Sequence, residues 1–322
     1  MSTQIASASS AHHSGTLVLK KKDRGAEGVV RLTLGDPDGR RLPPWSPGAH
    51  LELFLPNNLV GHYSLCGDRW DGFSYEVAVL RTANSRGGSQ WIHDHFREGM
   101  ALPFGGPRNH FPLVPADRYR FIAGGIGITP LIPMIRQAIQ VGAGWDLLYG
   151  GRSRHSMAFL DELHALGAPV RFWPYNESGF PDIGSWLGHP VSRTAIYACG
   201  PDRLLRGVTE ACESWPPYSL RTERFIAADR SQAADRDISV TLKSGETLTV
   251  PPGETILDAL RRLGKAPLSS CRQGVCGTCE VAVLDGVPDH RDSVLTDTER
   301  EAGDCMLVCV SRAKSASLTL DL

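Results

Sequence analysis

Three cysteines fall inside nine residues, "CRQGVCGTC" at 271 to 279, and no other feature constrains this chain as much. A cluster of this kind either closes disulfides or holds a metal. Eight cysteines in 322 residues are too sparse for a disulfide scaffold. The opening stretch "MSTQIASASSAHHSG" has neither a basic start nor an apolar run, so it reads as a disordered lead-in rather than a signal peptide. A reducing, cytoplasmic setting is therefore expected, and metal becomes the leading reading. Structural zinc shows two separated Cys/His pairs, whereas C-x4-C-x2-C with one distant fourth cysteine is the spacing of a plant-type [2Fe–2S] centre. Gly274 and Gly277 let the loop take unusual φ values and bring backbone N–H groups close to sulfur. Spacing alone leaves both Cys305 and Cys309 open as the fourth ligand.

The flanks of the cluster read as a small mixed fold. "DISVTLKSGETLTV" is two alternating strands about a Ser244–Gly245 turn. "GETILDALRRLG" is a helix stopped by Gly264, and Thr296 with Glu299 forms a candidate capping box. This C-terminal part resembles the ferredoxin domain of phthalate dioxygenase reductase-like proteins, through "SSCRQGVCGTCEVAVLDGVPDHRDSVLT" and "CVSRAKS". The resemblance implies Cys271, Cys276, Cys279 and Cys309 as the four ligands, with Cys305 a bystander.

Upstream, strands alternate with helices from "RYRFIAGGIGITPLIPMI" through "WDLLYGG", "APVRFWPY" and "TAIYACGP" to "YSLRTERF". That order predicts a parallel sheet with helices on both faces and ligands at the C-terminal strand ends. The Gly-rich turn is not G-x-G-x-x-G, because Pro130 stands at the third glycine; Thr129 is expected to cap the following helix with Pro130 at its first position. The N-terminal third is strand-like and punctuated by glycine and proline, as a small antiparallel barrel requires.

These segments are similar to the ferredoxin reductase superfamily over nearly the whole chain, and the fold it implies is multidomain. An antiparallel β-barrel flavin domain (16–112) follows the lead-in (1–15). Next come an α/β parallel-sheet nucleotide domain (113–226), a polar linker (227–237) and an α+β, β-grasp ferredoxin domain (238–322). The resemblance implies FMN, a [2Fe–2S] cluster and NADH as cofactors, with NADPH the lesser candidate. Around FMN it places Tyr63 on the isoalloxazine, Ser64 near N5, and Val79, Leu80 and Arg81 along the ring edge. Arg86, Gly87, Gly88 and Ser89 fall in the phosphate loop. Gly125, Gly127 and Thr129 would lie at the flavin–nicotinamide junction, with Cys199, Gly200 and Pro201 lining the nicotinamide pocket. Arg152 and Arg154 would lie near the adenosine ribose or phosphates, and Phe225 against the flavin. Ser64, Thr129 and Cys199 stand closest to the expected hydride transfer.

One departure matters. The family's arginine two residues before the stacking tyrosine is here Gly61, so His62, Arg81 and Arg86 become the candidates to hold the flavin phosphate.

The implied activity is the NADH-dependent reductase component of a two-component Rieske-type oxygenase, acting as a monomer. The alternatives are a stand-alone reductase of ferric iron, quinones or dyes, or a non-enzymatic iron–sulfur protein. A net charge of −1 gives no reason to expect nucleic acid, and no apolar run approaches the roughly 18 residues of a membrane span.

Overall fold

The computed structural model describes residues 14–56, 59–82, 87–166, 169–225 and 236–322. Most of the lead-in (1–13), Arg86 and most of the linker lie outside the described residues. The chain divides into two compact units, His13–Glu223 and, apart from the extreme N-terminus, Arg224–Leu322.

The first unit opens with six antiparallel strands: β1 (Gly15–Ala26), β2 (Val29–Gly35), β3 (His50–Leu55), β4 (Leu59–Ser64), β5 (Ser74–Leu80) and β6 (Ala101–Arg108). Their order is β4-β3-β6-β1-β2-β5. The terminal strands β4 and β5 meet through the bridge Leu65–Val77, so the sheet curls toward a barrel without a full closing ladder. Period-two alternation turns Leu17, Leu19, Leu32, Leu34, Leu51 and Leu53 into one core. Helix α1 (Gly88–Asp94) follows β5.

The same unit continues with five parallel strands, β7 (Arg118–Gly124), β8 (Gly144–Gly151), β9 (Val170–Pro174), β10 (Thr194–Cys199) and β11 (Leu220–Glu223), ordered β11-β10-β7-β8-β9. Five helices connect them: α2 (Leu131–Gln140), α3 (Leu160–Ala165), α4 (Tyr175–Ser178), α5 (Ile183–Leu187) and α6 (Asp202–Ala211). Both sheet faces are covered. Phe121, Leu147, Tyr149 and Tyr197 pack on α2 and α3, while Ile122, Leu148 and Ile196 pack on α5 and α6. Truncating one of these to Ala costs about 2–5 kcal/mol.

Two local expectations change. Thr129 does not cap α2: its hydroxyl donates back to the Ile126 carbonyl at 3.0 Å, closing a 3-10 turn over Gly125–Ile128. Pro130, with no N–H to satisfy, takes the cap position itself. The helix in "MAFLDELHALG" begins only at Leu160, because Phe159 adopts a left-handed φ of 64°.

The second unit holds β12 (Ile238–Leu242), β13 (Thr247–Val250), β14 (Glu280–Asp289), β15 (Cys305–Leu307) and β16 (Arg312–Leu320), in the order β13-β12-β16-β14-β15. Helix α7 (Ile256–Arg262), capped by Thr255, packs Ile256, Leu257 and Leu260 into the core. Helix α8 (Asp297–Ala302) starts at the Thr296–Glu299 capping box, which forms as expected. Among the described residues no helix is long and apolar enough to cross a membrane.

Candidate functional site

Cys271, Cys276, Cys279 and Cys309 are all at most 2 % exposed. Cys271 is hydrogen-bonded to Cys276 and Cys309, and Cys309 also to Cys279. Backbone N–H groups already point at sulfur: Gln273 N lies 3.3 Å from Cys271 Sγ, and Cys271 N lies 3.5 Å from Cys276 Sγ. Such donors stabilise thiolate charge in a metal cluster. The loop bends through left-handed residues, Arg272 at φ 56°, Gly274 at 66° and Gly277 at 71°. Glycine is needed at 274 on packing grounds too, since a Cβ there would lie 2.5 Å from Val310 and 3.0 Å from Asp292. Among the described residues no group of three or more His, Cys, Asp or Glu is placed to hold a metal ion. A two-iron core, which takes its sulfurs as two pairs, fits this donor set. Cys305 stands apart on β15, partly exposed and paired in register with Ala282.

In the first unit, the turn after β7 and the end of β10 meet backbone to backbone. A Cβ on Gly127 would collide with the Cys199 carbonyl, and one on Gly200 would come 2.9 Å from the Gly124 Cα. The buried Tyr149 hydroxyl supports this turn by donating to the Gly125 carbonyl at 3.2 Å. Gly125, Gly127, Cys199, Gly200 and Pro201 thus gather at one place, at the C-terminal ends of β7 and β10. Beside them stands a residue the motif reading passed over. Glu223 pairs in register with Cys199 across β10 and β11, and its carboxyl lies 3.9 Å from the Cys199 thiol. As a residue Glu223 is only partly buried, yet desolvation of its carboxyl pushes it up to about 8, against the smaller lowering effect of the Cys199 contact. Burial, with Glu223 alongside, also drives the Cys199 thiol well above its usual range. "ERF" lay in plain view in the sequence; the parallel register made its glutamate matter.

On β4, neighbouring side chains point to opposite faces. Tyr63 packs toward the barrel core. Ser64 is 4 % exposed, and its hydroxyl has no partner among the described residues. An orphan hydroxyl at such burial costs stability unless a ligand meets it, so this cradle fits a polar ring edge. His62 faces the other way, with Nε2 3.3 Å from the buried Glu52, whose carboxylate also takes Arg108 at 2.9 Å. The structure therefore separates His62 from Tyr63.

The candidate phosphate loop enters α1 through Gly87 at φ 99°. The Ser89 hydroxyl bonds the Thr82 N–H and hydroxyl at 3.2 and 3.0 Å. At the far end, Lys22 donates to the carbonyls of Ile92, His93 and Phe96, where a cation suits a helix C-terminus. Val79 and Leu80 lie on β5 as anticipated. Arg81, proposed for the phosphate, is engaged in two bonds to Asp94 at 2.6 and 2.9 Å. Arg152 and Arg154 are both exposed; Arg154 pairs with Glu177 at 3.3 Å, and the Arg152 carbonyl accepts from Asn176. Phe225 is 38 % exposed at the start of the second unit.

Fold and site together define an oxidoreductase that combines a nucleotide-binding sheet with an iron–sulfur module. The comparisons agree. Residues 240–314 match the model of the 2Fe-2S iron-sulfur cluster binding domain, and 121–179 match the oxidoreductase NAD-binding domain. The chain is 43 % identical over 301 residues to the phenoxybenzoate dioxygenase subunit beta of Ectopseudomonas oleovorans, covering 92 % of this chain and 94 % of that protein. The crystal structure of an intact type IV self-sufficient cytochrome P450 monooxygenase matches at 44 % identity and a TM-score of 0.89, over 96 % of this chain. This chain spans 41 % of that longer protein. Phthalate dioxygenase reductase, solved as a modular structure for electron transfer from pyridine nucleotides to [2Fe–2S], matches at 36 % identity and a TM-score of 0.71, over 95 % of this chain and 97 % of its own. The chain belongs to the phthalate dioxygenase reductase-like family, and it carries an NAD-binding domain and a 2Fe-2S iron-sulfur cluster binding domain.

Proposed function

We propose that this protein is the NADH-dependent reductase of a two-component Rieske-type oxygenase. The observation that carries this reading is the end-to-end similarity to proteins named as reductase subunits of oxygenase systems, the phthalate 4,5-dioxygenase oxygenase reductase subunit of Pseudomonas putida among them. Bound FMN supplies the change from two-electron to one-electron chemistry, and the cluster relays single electrons. The chain's own task is placement. Tyr63 covers the isoalloxazine and the Ser64 hydroxyl donates to its edge. The amides of Gly87 and Gly88 and the Ser89 side chain hold the phosphate. The Gly125–Thr129 turn and Cys199–Pro201 seat the nicotinamide, with Glu223 behind Cys199, and Arg152 and Arg154 reach the adenosine end. The four cysteines 271, 276, 279 and 309 hold the cluster. Eight sparse cysteines suit a cytoplasmic setting, and we take the working form to be a monomer.

The high similarity to the self-sufficient P450 favours a second reading, in which the electron acceptor is a P450 haem protein. Purified reductase with NADH, offered a Rieske oxygenase or a P450 at micromolar concentration, separates the two. Turnover with the Rieske component supports the first reading. Turnover with the P450 alone supports the second, and neither leaves the stand-alone reductase.

A further inference from the structure

We propose that Glu162 is a positioning residue that fixes the nucleotide-binding sheet against the barrel and thereby sets the approach of nicotinamide to flavin. The proposal rests on the reductase reading above. Glu162 lies in the first turn of α3, on the nucleotide side, and its two oxygens serve two arginines. Oε1 takes Arg31 of β2, and Oε2 takes Arg136 of α2 at 3.1 Å.

Each arginine is committed further. Arg31 is also bound by Glu76 of β5, with Nε 2.8 Å from its carboxylate. Arg136 donates through Nη1 to the carbonyls of Cys66 at 3.1 Å and Gly67 at 2.9 Å. Charges therefore alternate along Glu76–Arg31–Glu162–Arg136, from the barrel across to the sheet. Cys66 and Gly67 come directly after Ser64 and Leu65, and α2 comes directly after Thr129 and Pro130. Arg136 thus ties together the two segments that would flank the reacting rings, and Glu162 holds Arg136 in place.

Two further observations point the same way. Phe159, just before α3, keeps a left-handed φ of 64° although it is not glycine, and its buried ring lies under the Arg31 guanidinium at 4.6 Å. Backbone strain of this kind persists only where surrounding contacts enforce it. The β1–β2 hairpin makes a second tie, with Glu27 N donating to the His155 carbonyl at 2.8 Å, beside Arg154.

The side chains of Arg31, Glu76, Glu162 and Arg136 are 28, 23, 33 and 37 % exposed. Ion pairs this accessible add little to stability, whereas hydride transfer is sensitive to displacements of about an ångström. The network's value is therefore geometric. Without Glu162, Arg31 keeps Glu76 and Arg136 keeps its carbonyls, so the Arg136–Cys66/Gly67 and Glu27–His155 ties remain and only the bridge that braces Arg136 against Arg31 is lost.

The test uses the full chain loaded with FMN and cluster, unaltered and as Glu162→Ala and Glu162→Gln. We expect the limiting rate of flavin reduction by NADH to fall about tenfold in Glu162→Ala and less in Glu162→Gln, which keeps an acceptor oxygen. NADH affinity, FMN content and melting temperature should barely move. The long-wavelength absorbance of nicotinamide stacked on flavin should weaken in step with the rate. If Glu162→Ala does not fold, Glu162→Gln carries the test alone. An unchanged rate and an unchanged stacking band in the variant that folds would overturn the proposal. Failure of NADH to bleach the flavin of the unaltered chain would instead remove the reductase reading, and the proposal with it.

Discussion

The ring of Tyr63 lies across Gly61: a Cβ built on Gly61 would stand 2.5 Å from the ring's Cε2 and from its hydroxyl. The position where the family resemblance implies a phosphate-binding arginine is thus filled from two residues away. Any side chain at 61 has to move that ring, and the two simplest substitutions should differ in their effect on FMN. Gly61→Ala displaces Tyr63 and adds nothing, so FMN should bind more weakly than in the unaltered chain. Gly61→Arg displaces the same ring but adds a guanidinium, whose bond to phosphate contributes about 1.5–3 kcal/mol. It should hold FMN about ten- to a hundredfold more tightly than Gly61→Ala does. Fluorescence quenching on titration reads both constants, and equal values would mean that the phosphate is out of reach of position 61.

The cysteines make a sharper case. Cys309 is buried and its free thiol is hydrogen-bonded to those of Cys271 and Cys279, whereas Cys305 stands apart on β15. Cys309→Ser should abolish the visible absorbance and EPR signal of the cluster, and Cys305→Ser should leave both. Flavin bleaching by NADH should survive in either variant. The reverse pattern would show that the fourth ligand is misassigned.

Glu223 gives a pH dependence. Its carboxyl is raised from 4.5 to about 8 by burial. A raised carboxyl contributes stability that is fully present below about pH 4.5, declines as pH rises, and is lost above about pH 8. Glu223→Gln stays neutral throughout, so its melting temperature should vary less across that window. Any step near pH 8 in the rate of flavin reduction should disappear as well. Parallel pH profiles for the two proteins would mean that Glu223 titrates like an ordinary surface carboxylate.

A further outcome concerns the partner surface. Between 285 and 304 the sequence carries seven carboxylates against Arg291 and Arg300. Three are engaged within the fold, Asp292 by Arg300 at 3.0 Å, Asp289 by Arg291 at 2.8 Å and Glu299 by its capping box with Thr296. Burial, with Glu299, Asp292 and Asp304 nearby, raises the Glu280 carboxyl, the mark of a locally acidic surface. Reduction of the oxygenase should slow steeply between about 0.05 and 0.5 M salt as this field is screened. A flat salt profile would assign these carboxylates to solvation alone.

The legible parts of this chain were local. The cluster loop, the Ser244–Gly245 turn and the Thr296–Glu299 box each declare themselves within a few residues, because spacing and capping chemistry act at short range. What escaped depends on partners far apart in sequence. Glu223 meets Cys199 only through a parallel register, and Glu162 meets Arg31 only once barrel and sheet have come together. Thr129 departs from the expected cap for a different reason, since a hydroxyl that can cap a helix can equally bond back to close the preceding turn.

The central claim is a path from NADH through flavin to cluster within one chain. Anaerobic mixing of NADH with the FMN- and cluster-loaded protein, followed by absorbance and by freeze-quenched EPR, tests it most directly. The account predicts flavin bleaching first, then growth of the reduced [2Fe–2S] signal, with that second phase absent from protein stripped of FMN. A cluster signal that develops at the same rate without flavin, or a flavin that NADH does not bleach, would contradict it.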